Sequence, residues 1–130
     1  MADTQTKFSA GMRTRRSVLG EGYVDAAVSA TDAFTADFQT LITESAWGSV
    51  WSRETISKRE RSMLTIALLA ALGHHDEVAM HVRATRNTGA SAEDIKEALL
   101  HVAIYAGVPA ANHAFKIARA ALAEIHDESA

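Results

Sequence analysis

From Tyr23 onward, apolar residues recur at intervals of three and four, a spacing that predicts helices along almost the whole chain. Val24, Ala27, Val28, Phe34, Phe38, Leu41 and Ile42 mark a first helix over about 23–42. Ser57-Lys58-Arg59-Glu60 fits a capping box, in which serine and glutamate each satisfy the other's amide. It predicts a helix running to residue 72, closed by Gly73. The second half of that helix, 63–72, has no polar face, and a helix apolar all round is buried all round. A small domain struggles to surround such a helix, so the pattern predicts an oligomer; a central place in the bundle is the alternative. Further helices are expected over 75–88, ended by Asn87-Thr88-Gly89, and from a second cap at Ser91-Ala92-Glu93-Asp94. The latter carries Ile95, Leu99, Val102 and Ala106 on one stripe. Pro109 fits the first turn of a last, alanine-rich helix.

Two stretches break the pattern. Residues 1–20, with Gly11 and Gly20 as breaks, read as an irregular segment. Trp47-Gly48-Ser49-Val50-Trp51 is too aromatic for free surface and is expected to pack over the core or line a cleft. No strand pattern or internal repeat competes. The expected fold is all-α: one domain over residues 1–130, a compact bundle of about five or six helices.

Composition narrows the chemistry. The chain has 130 residues, enough for a genuine core, and carries one proline, Pro109. Zero cysteines exclude disulfide, thiolate and cysteine–zinc chemistry and are compatible with a cytoplasmic location. The net charge of -3 argues against nucleic acid as partner. A polar beginning argues against a secretory leader, and 63–72 is too short to span a bilayer.

Several residues could carry chemistry. Glu77 and His81 stand four apart, so a helix brings their side chains within reach. A carboxylate on one ring nitrogen would fix the tautomer, raise the imidazole's basicity and leave the other nitrogen to exchange a proton. An ordinary surface pair is the competing reading. His74 lies three residues before Glu77 and is the rival acid. His74, His75 and Asp76 match no strong metal signature, and a polar helix start explains them as well. Arg15 and Arg16 could hold a carboxylate through paired hydrogen bonds, or lie on a solvated arm. Trp47 and Trp51 could wall a pocket. Asn112 and His113, at a helix start, could cap it or face a pocket.

The segment from Gly11-Met12-Arg13-Thr14-Arg15-Arg16 to Gly20, followed by Val24-Asp25, closely resembles the opening of the carboxymuconolactone decarboxylase family. The likeness continues at Ala46-Trp47-Gly48, Trp51, 61–73, His81-Val82-Arg83 and 105–112, and spans about residues 8–123. The broader superfamily includes alkylhydroperoxidases with a glutamate, a Cys-x-x-Cys pair and a histidine. Against that pattern His81 keeps the histidine, His74 and Glu77 replace the cysteines, and Ser62 replaces the glutamate. The resemblance therefore implies a decarboxylase with no redox group, no metal and no cofactor, assembled as a homo-oligomer, commonly a hexamer, in the cytoplasm. The implied substrate is a small lactone dicarboxylate, 4-carboxymuconolactone. It is converted to 3-oxoadipate enol-lactone and CO2 in the protocatechuate branch of the 3-oxoadipate pathway. On this view His81, Glu77 and His74 form the catalytic set, and Arg15, Arg16, Trp47, Trp51 and Asn112 contact the substrate.

Overall fold

The computed structural model describes residues 6–129, which are helical almost throughout. Among the described residues, seven α-helices and one π-helix replace the five or six helices expected. They fall into two compact units, Met1–Ile56 and Ser57–Ala130.

In the first unit the segment expected to be irregular is largely helix α1, Lys7–Leu19. Thr6 caps it, accepting from the Ser9 amide, and the Ser9 hydroxyl returns the bond. Gly11, taken as a break, is a packing residue. A Cβ there would collide with the Thr43 carbonyl oxygen, and one on Gly48 would lie 2.6 Å from the Lys7 carbonyl oxygen. The two glycines let α1 lie directly against the π-helix Thr43–Trp51. Gly20 is a true break: its φ of 97° suits glycine and separates α1 from α2, Glu21–Ala30.

The single helix expected over 23–42 is divided. Asp32 Oδ1 accepts from the Phe34 and Thr35 amides, an Asx-type turn that offers the backbone an alternative to helix. Helix α3, Ala36–Ile42, follows and runs into the π-helix. Phe34, Phe38 and Leu41, counted above in the helical pattern, are exposed.

The second unit holds α4 (Lys58–Leu72), α5 (His75–Thr88), α6 (Ala92–Tyr105) and α7 (Val108–Ser129). Both capping boxes form as expected, at Ser57/Glu60 and Ser91/Asp94. Gly73 ends α4 in the left-handed conformation. Asp94 has a second partner: Arg59 donates to its two carboxylate oxygens at 2.7 Å, which holds that carboxyl well below its usual range. The core joins Ile66 and Ala70 of α4, Val78 and Val82 of α5, and Ile95, Leu99 and Val102 of α6. Ala111, Ala114, Ala118 and Ala121 form one buried stripe on α7. Their small side chains let it pack closely on both α5 and α6.

Helix α4 is not buried all round. Ile66 and Ala70 enter the core, but Leu64, Leu68 and Leu72, one turn apart, are 57%, 63% and 68% exposed. This removes the reading of α4 as the centre of a bundle within one chain. Among the described residues no helix is long and apolar enough to cross a membrane.

Candidate active site

The close approach of α1 to the π-helix decides what Arg15 does. Gly11 and Arg15 are four residues apart, so the face that touches the π-helix also carries the Arg15 side chain into it. Arg15 is only 5% exposed. Its Nη1 donates to Gln39 Oε1 at 3.1 Å and to Thr43 Oγ1 at 3.3 Å. Its Nε is buried with no hydrogen-bond partner among the described residues. Both acceptors are neutral, and burial lowers the guanidinium's pKa from its ordinary value. Among the described residues, no carboxylate pairs with this desolvated cation.

Arg16, its neighbour, differs. It points outward and donates to both Glu21 Oε1 and Asp25 Oδ1 at 2.7 Å. The hydrogen bonds to Asp25 and Glu21 raise its pKa. Two carboxylates already occupy it, so of the two arginines only Arg15 has a cation to offer a ligand.

Trp47 and Trp51 lie one turn apart on the π-helix, both buried, with ring centroids 5.2 Å apart and planes tilted by 36°. The aromatic run identified in the sequence is thus a packed pair. The π-helix itself had no signal there. Its wider turn is a feature often found at functional sites.

Helix α5 carries the other candidates. His81 is 6% exposed, between Val78, Val82 and Thr85. Burial pushes its pKa down to about 4, so the ring is neutral at pH 7. Glu77 is exposed, and burial is what lowers the pKa of His81. The expected raising of His81 basicity by Glu77 is therefore corrected: desolvation outweighs any charge effect. His74 is the exposed N-cap residue of α5, with no side-chain cap bond.

Asn112 lines a groove of about 500 Å³ between α6 and α7, with Phe115, Lys116 and Arg119. On the other side of α7 a cavity of about 360 Å³ against α5 holds His75, His113 and the Arg83–Glu124 ion pair. The His75 and His113 rings stack at 3.8 Å. His74, Glu77 and His81 line neither space. The structure thus gathers three candidates on α5 and separates Asn112 from them. Among the described residues no group of three or more histidine, aspartate or glutamate side chains is arranged to hold a metal ion.

Sequence reading missed Gln39 and Thr43, the acceptors of Arg15. Gln39 falls within the helix expected over 23–42 and Thr43 just beyond it, and nothing in the pattern showed that α1 would lie against them.

The first unit holds a buried cation on neutral acceptors and a packed aromatic pair, features suited to an anionic small molecule, and the second unit holds a neutral buried imidazole. A 4-carboxymuconolactone decarboxylase of Acinetobacter baylyi is 43% identical over 118 residues, covering 91% of this chain and 87% of that protein. A nitrosuccinic acid decarboxylase of Metarhizium robertsii is 36% identical over 121 residues, covering 93% of this chain and 85% of that one. A 4-carboxymuconolactone decarboxylase sequence from Pseudomonas putida is 39% identical over 46 residues, 35% of this chain and 96% of that sequence. Residues 36–120 match the model of the carboxymuconolactone decarboxylase family. This chain belongs to the carboxymuconolactone decarboxylase family.

Proposed function

We propose that the protein decarboxylates 4-carboxymuconolactone to 3-oxoadipate enol-lactone and CO2, without a cofactor, in protocatechuate degradation. One observation carries the reading: a buried arginine with no carboxylate partner among the described residues, in a chain similar over most of its length to two decarboxylases. The two compounds in their names share a motif. Each has a carbon that bears both a carboxylate and a CH2–carboxylate arm, next to an electron sink. In one the sink is an unsaturated lactone, in the other a nitro group.

In the lactone, loss of CO2 sends the electron pair through the ring double bond onto the carbonyl oxygen. The furanolate formed is then protonated at the ring carbon next to that carbonyl. The substrate supplies its own sink, so the enzyme must anchor the dianion, favour loss of one carboxylate and deliver one proton. Arg15 anchors the acetate arm. The Trp47–Trp51 pair offers the leaving carboxylate a dry wall, and desolvation favours its release. His81 supplies the proton. Its ring is neutral in the free protein, and the negative charge of the substrate favours the imidazolium, so proton uptake accompanies binding. Exposed Glu77 and His74 act at the margin, Glu77 by adding negative charge along α5. Arg16 and Asn112 have no step in this mechanism.

The same reading includes a homo-oligomer, a hexamer by family resemblance. Its support is the Leu64, Leu68 and Leu72 stripe, which one chain leaves in water.

An ultraviolet assay with chelator-treated protein tests the activity. Equimolar loss of lactone and release of CO2 is expected. Tight binding of the lactone with no CO2 release would leave a binding protein instead.

A further inference from the structure

We infer that Gln39 and Thr43 are positioning residues, which hold Arg15 as an open fork for one carboxylate arm of a small dicarboxylate. This rests on the anchoring role proposed for Arg15.

The geometry supplies the argument. Thr43 is fully buried at the first position of the π-helix, and its hydroxyl proton is committed to the Gln39 carbonyl oxygen at 2.7 Å. Towards Arg15 that oxygen can then only accept. Gln39 stands four residues earlier, and its Oε1 accepts from the same Nη1. Both acceptors therefore hold one end of a planar guanidinium and fix its rotation. The Nε is left buried and, among the described residues, without a partner. An unsatisfied buried donor is costly, more so on a cation. An anion arriving at that edge would complete it with charge-assisted bonds.

The chemistry at position 39 is the discriminating point. A glutamate is nearly isosteric with Gln39 and would lie within reach of the same Nη1. It would give Arg15 a permanent counter-ion and cancel the charge that an external carboxylate reads. A neutral amide orients the guanidinium and leaves its charge available. Thr43 does the same from the π-helix, and its backbone carbonyl is set by the close approach of Gly11. Gln39 is thus a selectivity residue for the anionic arm, although it need not touch the substrate.

The test follows the Arg15 Nε–H signal by ¹H–¹⁵N NMR during titration with succinate, in the whole protein. Wild type should show a saturable shift. Gln39→Glu should weaken succinate at least about tenfold, as an internal carboxylate competes. Gln39→Met, which adds no charge, should weaken it by a smaller factor. In turnover, Gln39→Glu should raise KM for the lactone dianion more than it lowers kcat. It should leave KM unchanged for the lactone methylated on its acetate arm. A merely structural role would affect both substrates alike. Equal succinate affinity in wild type, Gln39→Glu and Gln39→Met would overturn the inference, as would a wild-type signal that succinate does not move. Wild type that binds succinate at Arg15 yet releases no CO2 from the lactone would sustain the positioning role and remove the proposed reaction.

Discussion

Gly11 meets the Thr43 carbonyl oxygen so closely that a side chain of even one carbon has no room there. The obstacle is backbone, which cannot swing aside as a flexible side chain would. Gly11→Ala should therefore destabilise the fold by about 1–3 kcal/mol, the usual cost of overpacking. Gly22 gives the contrast: it is helical, and a Cβ there would meet nothing within 4 Å. Gly22→Ala should be neutral or stabilising by up to about 1 kcal/mol. Urea denaturation of the two variants beside wild type measures the difference.

The two arginines of the same helix should separate in kinetics. Arg15→Ala should lower kcat/KM by an amount corresponding to about 2–5 kcal/mol, since it removes a buried charge from a charge pair with the substrate. Arg15→Lys should recover part of this, because lysine lacks the planar fork. Arg16→Ala should stay near wild type, as that side chain serves Glu21 and Asp25 at the surface. Steady-state assays of the three variants decide it, and equal losses in Arg15→Ala and Arg16→Ala would contradict the assignment.

Leu68 tests the assembly. At 63% exposure it can accept a charge without burying it inside its own chain. Leu68→Asp should leave helical content intact by circular dichroism and shift sedimentation towards smaller species, because the apolar stripe is interrupted. A variant that sediments like wild type would place the interface elsewhere.

His81 links stability to pH. Its folded pKa of about 4 lies below the unfolded value near 6.5, so below pH 6.5 the unfolded state binds the proton more readily. The stability contributed by the neutral ring is fully present above 6.5 and is lost as pH falls towards 4. The loss is on the order of 3 kcal/mol across that window. His81→Gln should flatten the stability profile between pH 6.5 and 4, as measured by denaturant midpoints at each pH.

Local chemistry made much of the second unit legible in advance. Ser57/Glu60, Ser91/Asp94, Gly73 and Pro109 are signals carried within four residues, and each marks the boundary it promised. The first unit was harder for a physical reason. Gly11 looks like a helix breaker in sequence, whereas its role depends on a neighbour more than thirty residues away. The Asp32 turn competes with a helical periodicity that runs straight through it. Helix α4 shows the opposite limit, since its apolar composition promised burial on every side while Leu64, Leu68 and Leu72 are exposed. For the site, His81 and Arg15 stood out by residue type. Their environments, burial for one and two neutral acceptors for the other, came from packing and had no local mark.

The central claim is that His81 delivers the proton that completes decarboxylation. Its most direct test runs the reaction in deuterium oxide and records CO2 release beside deuterium entry at the product ring carbon, for wild type, His81→Gln and His74→Gln. Glutamine keeps helix propensity but cannot act as an acid near neutral pH. His81→Gln should slow product formation by roughly 10²–10⁴-fold, the scale of a lost general acid, while His74→Gln stays close to wild type. If His81→Gln releases CO2 and takes up deuterium at the wild-type rate while His74→Gln does neither, the proton donor is His74 and the account given for His81 is wrong.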